Sequence, residues 1–301
     1  MTRQLPVSVV IPAYNRADTI ARAVRSALQQ APAVPAEVLV VDDCSADETA
    51  AVAEAAGARV LRLAENQGEG GARNAGVAAA AHDWLAFLDS DDEWYPWHLD
   101  AVWAHRDGNV LVAGSVITTR ARRVEGNAGR RTLRLRTPLD VVWPSNPVFP
   151  SAVLVHRPAL VRAGGFAKLP YCADLDTWFR VLEQGPGVVL ETVTGSYHEH
   201  AGQVSGDRAA MRRAELSVYD TYRDRAWWHA GVRERLVLKD RWDTARSAQS
   251  AGRRTEWARS LIWFATPGRA LVLARLLRSR WQMRRRGRQF DLDAATSGSA
   301  D

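Results

Sequence analysis

Cysteine is nearly absent from this 301-residue chain, which has only Cys44 and Cys172. Two cysteines make neither a disulfide framework nor a zinc site, so both are expected as free thiols in a reducing compartment. Lysine is just as scarce. Lys168 and Lys239 stand alone, and the basic side of the +6 net charge is almost wholly arginine. Arginine favours phosphates and anionic surfaces. The excess therefore admits nucleic acid, anionic lipid or a phosphorylated substrate without choosing among them. Long apolar runs are missing too: none reaches transmembrane length. The start, Met1 to Pro6, enters a short strand without the apolar core of a signal peptide. The expectation is a cytoplasmic protein that has peripheral contact with the inner face of a membrane open to it.

What is present suffices for a large core, since 47% of residues are hydrophobic and 25% charged. One large domain with an appendage follows. The first hundred residues alternate strand and helix signals. Val7 to Ile11 reads as a buried strand ended by Pro12, and Ile20, Ala23, Val24, Ala27 and Leu28 recur at helical spacing. A second strand, Val38 to Val41, precedes Asp42-Asp43. Ser45 and Glu48 fit a capping box for the next helix, and Gly57 fits its stop. A third strand spans Val60 to Leu63. A glycine turn (Gly68, Gly70, Gly71) then leads into an alanine-rich helix through Ala81, and Trp84 to Leu88 is the fourth strand.

Beyond these, Val110 to Thr119 reads as a strand and Arg120 to Arg136 as a basic loop or edge hairpin. Asn146 to His156 returns to a strand, Ala173 to Gln184 forms a helix, and Val188 to Thr194 is a strand. Past Ser205 the chain turns to arginine- and tryptophan-rich helices. The stretch from Arg269 to Arg288 has many arginines among Leu and Trp and no acid until Asp291; the tail from Asp293 is small and polar. Basic and apolar side chains at helical spacing suit either an anionic lipid interface or a solvated face of a packed subdomain.

Alternating strands and helices predict a parallel sheet covered on both faces, with ligands outside the carboxyl ends of the strands. Three of those ends carry polar signatures: Tyr14-Asn15, Asp42-Asp43, and Asp89 to Asp92. The last is the most telling, with three carboxylates in four positions directly after an apolar strand. Such carboxylates repel unless a divalent cation sits between them, and hard oxygens with open positions suit Mg²⁺ or Mn²⁺ carrying a diphosphate. A solvated acidic turn capping the next helix is the plainer alternative.

The other signals also read two ways. Tyr14 is a lid on the core or a platform for a nucleobase; Asp43 caps a helix or accepts the N3–H of uracil or thymine. Arg73 faces a phosphate or base, or lies on the surface. Asp174 and Asp176 decorate a helix start, or one of them is a general base. His198 and His200 face one side of a strand-like segment, near enough to the carboxylates to serve a metal or diphosphate. A dinucleotide-binding loop is excluded, because the first strand-to-helix turn, Pro12 to Asn15, has no glycine.

In their order these residues resemble the inverting family-2 glycosyltransferases of the GT-A fold. The resemblance is carried by Ser8 to Arg16, Val40 to Ser45, Asn66-Gln67-Gly68 with Ala72 to Gly76, Phe87 to Asp92, Gly164 to Phe166, Asp174 to Trp178, and Tyr197 to His200 with Val204-Ser205. It covers roughly the first two-thirds of the chain, and its specificity lies in the ordered conjunction. It implies an α/β, mainly parallel mixed sheet with helices on both faces, plus a C-terminal helical extension. Residues 1–205 form the catalytic domain, divided into a nucleotide half of about 1–119 and an acceptor half of about 120–205. A basic helical extension spans 206–290, and 291–301 is a disordered tail.

The resemblance further implies transfer of a sugar from a UDP- or dTDP-sugar to a glycan or lipid-linked acceptor hydroxyl, with inversion. Pro12, Ala13, Tyr14, Asn15, Asp43 and Arg73 surround the nucleoside. Asp89, Ser90 and Asp91 meet ribose and diphosphate, while Asp91, Asp92 and His200 hold Mn²⁺ or Mg²⁺. Asp174 is the catalytic base. Two departures stand out: Ala173 where the family has Glu, and His198 where it has Arg. A catalytically silent nucleotide-sugar-binding protein is the alternative. A nucleic-acid partner is not expected, since the arginines cluster in the last third and not at the sheet's ligand edge.

Overall fold

The computed structural model describes residues 3–118, 132–142, 147–199 and 208–228, together with residues 252, 255 and 257. The chain divides into two compact units, Met1–Arg223 and Asp224–Asp301. The first contains a nine-stranded mixed sheet.

Its strands and helices alternate as the pattern requires: β1 (Arg3–Ala13), α1 (Ile20–Leu28), β2 (Ala33–Asp42), α2 (Thr49–Ala55), β3 (Arg59–Arg62), α3 (Gly68–Ala79) and β4 (Trp84–Phe87). There follow β5 (Glu93–Trp94), α4 (His98–Trp103), β6 (Leu111–Thr118), β7 (Thr132–Leu135), α5 (Leu139–Val142), a 3₁₀ turn (Pro150–Ala152), β8 (Val153–His156), α6 (Arg157–Arg162), α7 (Ala173–Leu182), β9 (Gly187–Tyr197) and α8 (Arg208–Thr221).

Strands β3, β2, β1 and β4 lie side by side and parallel. Val7, Val9, Val10 and Ile11 of β1 are fully buried, as a central strand covered on both faces must be. Helix α1 lays Ile20, Ala23, Val24 and Ala27 against the sheet, whereas Leu28 stays 38% exposed. The order then continues β8, β6, β9, β5, with β7 also paired to β9. Here the sheet departs from pure parallel pairing: β8 runs antiparallel to β4, pairing Phe87 with Val153 and Trp84 with His156. That reversal brings the 3₁₀ turn before β8 to the carboxyl end of β4, where the acidic run begins.

Several local expectations resolve differently. The capping box at Ser45 and Glu48 does not form. Ser45 Oγ instead accepts the N–H of Asn15, and the Asp47 carboxylate accepts the N–H groups of Thr49 and Ala17. The Gly57 stop does form. With φ at +102°, its N–H bonds Glu54 O at 2.9 Å and the next N–H, of Ala58, bonds Ala53 O at 3.1 Å, the paired closure of a Schellman end. Gly68, Gly70 and Gly71 lie inside the first turn of α3 and not in a turn before it. Among the described residues of the segment Asn146 to His156, only Val153–His156 is strand. Of the basic segment 120–136, residues 132–135 form β7, and 120–131 lie outside the described residues.

Helix α8 belongs to the first unit, so that unit extends past residue 205 to Arg223. In the second unit Trp227 and Trp228 make an edge-to-face contact with centroids 5.9 Å apart. The arginine-rich stretch 269–288 and the tail lie outside the described residues. No helix among the described residues is long and apolar enough to cross a membrane.

Close approach of α3 to the sheet sets the height of the site. A Cβ on Gly76 would run into Val10 Cγ1 and come within 3.2 Å of Val41 Cγ2. Both valines are fully buried in central strands, so neither can yield without moving the sheet. Gly76→Ala is therefore expected to destabilise the fold by about 1–3 kcal/mol through overpacking. The denaturation midpoint in urea should fall; an unchanged midpoint would mean that α3 does not sit this close.

Candidate active site

The carboxyl ends of β1, β2 and β4 meet at one edge because the three strands are parallel and in register, with Ala13 beside Asp42 and Val10 beside Phe87. At the end of β1, Pro12 and Ala13 are buried, and Tyr14 emerges after them 48% exposed. Asn15 then takes a left-handed φ of 52°, a conformation asparagine tolerates. Its N–H donates to Ser45 Oγ and its Oδ1 accepts the N–H of Ala46, both at 2.9 Å. These bonds pin the turn after β1 to the turn after β2 and leave the Tyr14 ring facing outward.

Asp43 is 3% exposed. Its Oδ1 accepts the N–H of Gln67 at 2.7 Å, and its carbonyl accepts Asn66 Nδ2 at 3.2 Å. It thus ties the end of β2 to the start of α3. Asp42 points the other way, fully buried, accepting Ser45 N–H and facing Arg62 Nε at 3.3 Å.

From α3, Arg73 enters the site from below. It is 1% exposed, and its Nη2 lies 2.5 Å from Glu69 Oε1 and 2.6 Å from Asp89 Oδ1. The guanidinium sits 5.4 Å from the centroid of Phe166, whose ring meets Phe87 and Trp178 edge-on. Next door, the Asn74 side chain brackets the Phe166 backbone, accepting its N–H and donating to its carbonyl, each at 2.8 Å. Helix α3 is thereby fastened to the loop that precedes α7.

The carboxylates after β4 have separate tasks. Burial pushes the Asp89 carboxyl up from its ordinary value, and the charge of Arg73 opposes this. Asp91 keeps 20% exposure; its carbonyl accepts Arg22 Nη2 at 2.6 Å, and its Oδ2 lies 3.8 Å from Arg16 Nε. Asp92 is 1% exposed. One of its oxygens accepts the Ser151 hydroxyl and the other the His198 N–H at 3.0 Å. Burial and the nearby Asp89 charge push Asp92 up to about 7. Ser90 is buried between them.

The two acids of α7 divide as sharply. Asp176 is held by the Arg180 guanidinium and by the Tyr222 hydroxyl at 2.6 Å. Asp174, in the same first turn, is raised by burial to about 6, while the positive charge of Arg73 acts against that rise. It therefore lies within electrostatic reach of the guanidinium that also grips Asp89.

Tyr14, Asp43, Asp89, Asp91 and Asp174 thus belong to one connected edge, with Arg73 at its centre. Asp92 underlies that edge. His200 lies outside the described residues, and among those described no group of three His, Cys, Asp or Glu side chains is arranged to hold a metal ion. Sequence reasoning gave no role to Ser151, Glu69, Arg16 or Arg22. Ser151 sits in what reads as strand, and only the antiparallel return of β8 puts it beside Asp89 and Asp92. Arg16 directly follows Tyr14-Asn15, and that adjacency was the available signal.

Residues 8–154 match the family model described as Glycosyl transferase family 2. Succinoglycan biosynthesis protein ExoO of Rhizobium meliloti is 55% identical over 89 residues, 29% of this chain and 25% of that protein. Pre-mycofactocin glycosyltransferase of Mycobacterium tuberculosis is 32% identical over 214 residues, 66% of this chain and 43% of the relative. These matches span less than half the length of either relative. Among solved structures, S. aureus TarS 1–349 in complex with UDP-GlcNAc superposes with a TM-score of 0.63, covering 85% of this chain and 80% of that one. At 20% identity this is a likeness of fold. With the family model matched across the sheet edge just described, residues 8–154 form a glycosyl transferase family 2 domain, and the chain has the GT-A fold.

Proposed function

We propose that this chain transfers a sugar from a nucleoside-diphosphate sugar to an acceptor hydroxyl, with inversion at the anomeric carbon and Asp174 as general base. The observation that carries this reading is the shared guanidinium. Arg73 bonds Asp89 at the end of β4 and acts on Asp174 at the start of α7. One buried guanidinium thus bonds the acid at the diphosphate end of the site and acts electrostatically on the base.

The nucleoside stacks on exposed Tyr14 with its base edge toward Asp43, and the ribose reaches Asp89. Uracil is favoured as the base because the TarS neighbour was solved with UDP-GlcNAc. A glycan acceptor accords with the succinoglycan biosynthesis relative, and a hexosyl unit going to a lipid-linked acceptor with a beta-1,3-glucosyltransferase of Escherichia coli named for a diphosphoundecaprenol substrate, 40% identical over 91 residues.

Whether the residues fit a divalent cation turns on the donor set. Asp89 is engaged by Arg73, and both oxygens of Asp92 are engaged by Ser151 and His198. Asp91 keeps a partly exposed carboxylate. Mg²⁺ and Mn²⁺ are commonly held by one or two carboxylates together with substrate phosphates, and this set fits that arrangement better than an all-protein cage. When bound, the cation would neutralise charge growing on the leaving diphosphate.

The chemistry of the protein's own groups is then simple. The acceptor oxygen approaches the anomeric carbon from the face opposite the diphosphate. As the new C–O bond forms and the old one breaks, Asp174 takes the acceptor's proton and the nucleoside diphosphate departs. A base with a value near 6 is ionised at neutral pH yet stays basic enough to accept that proton.

Asp174→Asn is expected to lower turnover by about 10²–10⁴-fold while leaving UDP affinity nearly unchanged, read by UDP release from a panel of UDP-sugars and by calorimetry. Near-wild-type turnover would move the base elsewhere. A wild-type chain that binds UDP but never releases it from a UDP-sugar would be the silent binder. The pH profile supplies a second check. Because Asp174 must be ionised, kcat/KM should fall on acidification through about pH 6 and be flat above it. An acid limb near the ordinary aspartate value of 3.8 would show that Asp174 is not the group that titrates.

A further inference from the structure

A donor diphosphate brings two or more negative charges to an edge already lined with carboxylates, so cations must meet it. At that edge Arg73 is buried and paired with Glu69 and Asp89, and Arg62 faces buried Asp42. His198 faces an acid of its own, its Nε2 lying 3.8 Å from Glu93 Oε2.

Two guanidinium groups stand differently. Arg16 is 31% exposed; its Nη1 donates to the Asn15 carbonyl at 3.1 Å, and its Nε stops 3.8 Å short of Asp91 Oδ2, beyond hydrogen-bond reach. Its backbone is fixed by a 2.7 Å bond from its N–H to Thr49 Oγ1. Arg22 comes from the first turn of α1, donates Nη2 to the Asp91 carbonyl at 2.6 Å, and keeps a buried Nε without a hydrogen-bond partner among the described residues. Arg16 follows the exposed Tyr14 by two residues, so it lies on the path from the base platform to Asp91.

The geometry points to Arg16 and Arg22 as the two guanidinium groups that receive the donor's diphosphate beside Asp91, an assignment that rests on the donor reading above. The planar fork of arginine matches phosphate oxygens with paired N–H donors. The 3.8 Å contact of Arg16 with Asp91 is loose enough to be exchanged for a phosphate oxygen. Arg22, anchored on the Asp91 carbonyl, fixes the distance between that phosphate and the carboxylate.

The test compares UDP with uridine, which shares the base and ribose and lacks the phosphates. Both are titrated calorimetrically, in Mg²⁺ buffer, into the full chain as wild type, Arg16→Gln, Arg22→Gln and Arg22→Lys. Each glutamine variant should weaken UDP about tenfold or more and leave uridine unchanged, and Arg22→Lys should recover part of the loss. If Arg22→Gln weakens UDP and uridine by the same factor, the arginine only braces the turn around Asp91 and the assignment fails. It fails as well if UDP affinity is unaltered in both glutamine variants. A wild-type chain that binds uridine and UDP equally overturns the phosphate assignment alone. One that binds neither overturns the donor reading and this inference together.

Discussion

Taking the Arg73 guanidinium out of water costs several kcal/mol unless carboxylates surround it, and Arg73 is 1% exposed. Much of the site follows from meeting that requirement. Glu69 and Asp89 supply the contacts, and Asp174 adds its charge from a different helix. For these groups to reach one guanidinium, α3 must lie close against both the sheet and the loop before α7. The glycines permit it: a Cβ on Gly70 would stand 2.7 Å from the Ala167 carbonyl. The Asn74 amide then locks the approach through both backbone groups of Phe166. A buried cation thus converts the packing of two helices and a strand end into a fixed arrangement of acids.

Through α3 the hub is also joined to the end of β2. Asp43, directly after β2, accepts the N–H of Gln67 directly before α3, and Arg73 lies later on the same helix. The start of α3 is thus bonded to the end of β2, and its Arg73 to Asp89 after β4. The connecting stretch is short, about one to two turns of helix from Gln67 to Arg73.

How far this was legible in the sequence depends on whether the controlling contacts are local. Strand β1, helix α1 and the Gly57 closure were readable because apolar spacing and a helix-ending glycine are local signals. The capping box at Ser45 failed for a nonlocal reason: Asn15, from the preceding turn, claims the Ser45 hydroxyl, and Asp47 takes over at the helix start. The short β8 was overextended because Pro150–Ala152 turns before it, and the partner that makes Ser151 matter lies about sixty residues upstream. In the acidic run, repulsion among three carboxylates was read as evidence for one shared ion. The protein relieves much of that repulsion internally, giving Asp89 an arginine and Asp92 a hydroxyl and a backbone N–H. Composition fixes that relief is needed; only tertiary structure says which acid finds which partner.

The choice between Asp174 and Asp176 shows the same division from the other side. Two positions apart on an α-helix means about 200° of rotation, so the two carboxylates must face opposite ways. One of them is therefore excluded from the cleft by helix geometry alone, before any partner is known. Which one is decided by α8, whose chain continues to Tyr222, and by Arg180 one turn along: both bond Asp176 and hold it inward at 8% exposure. Asp174 is consequently left within electrostatic reach of Arg73, and burial raises its basicity. Which acid of this helix faces the cleft is set as much by what restrains its neighbour as by its own surroundings.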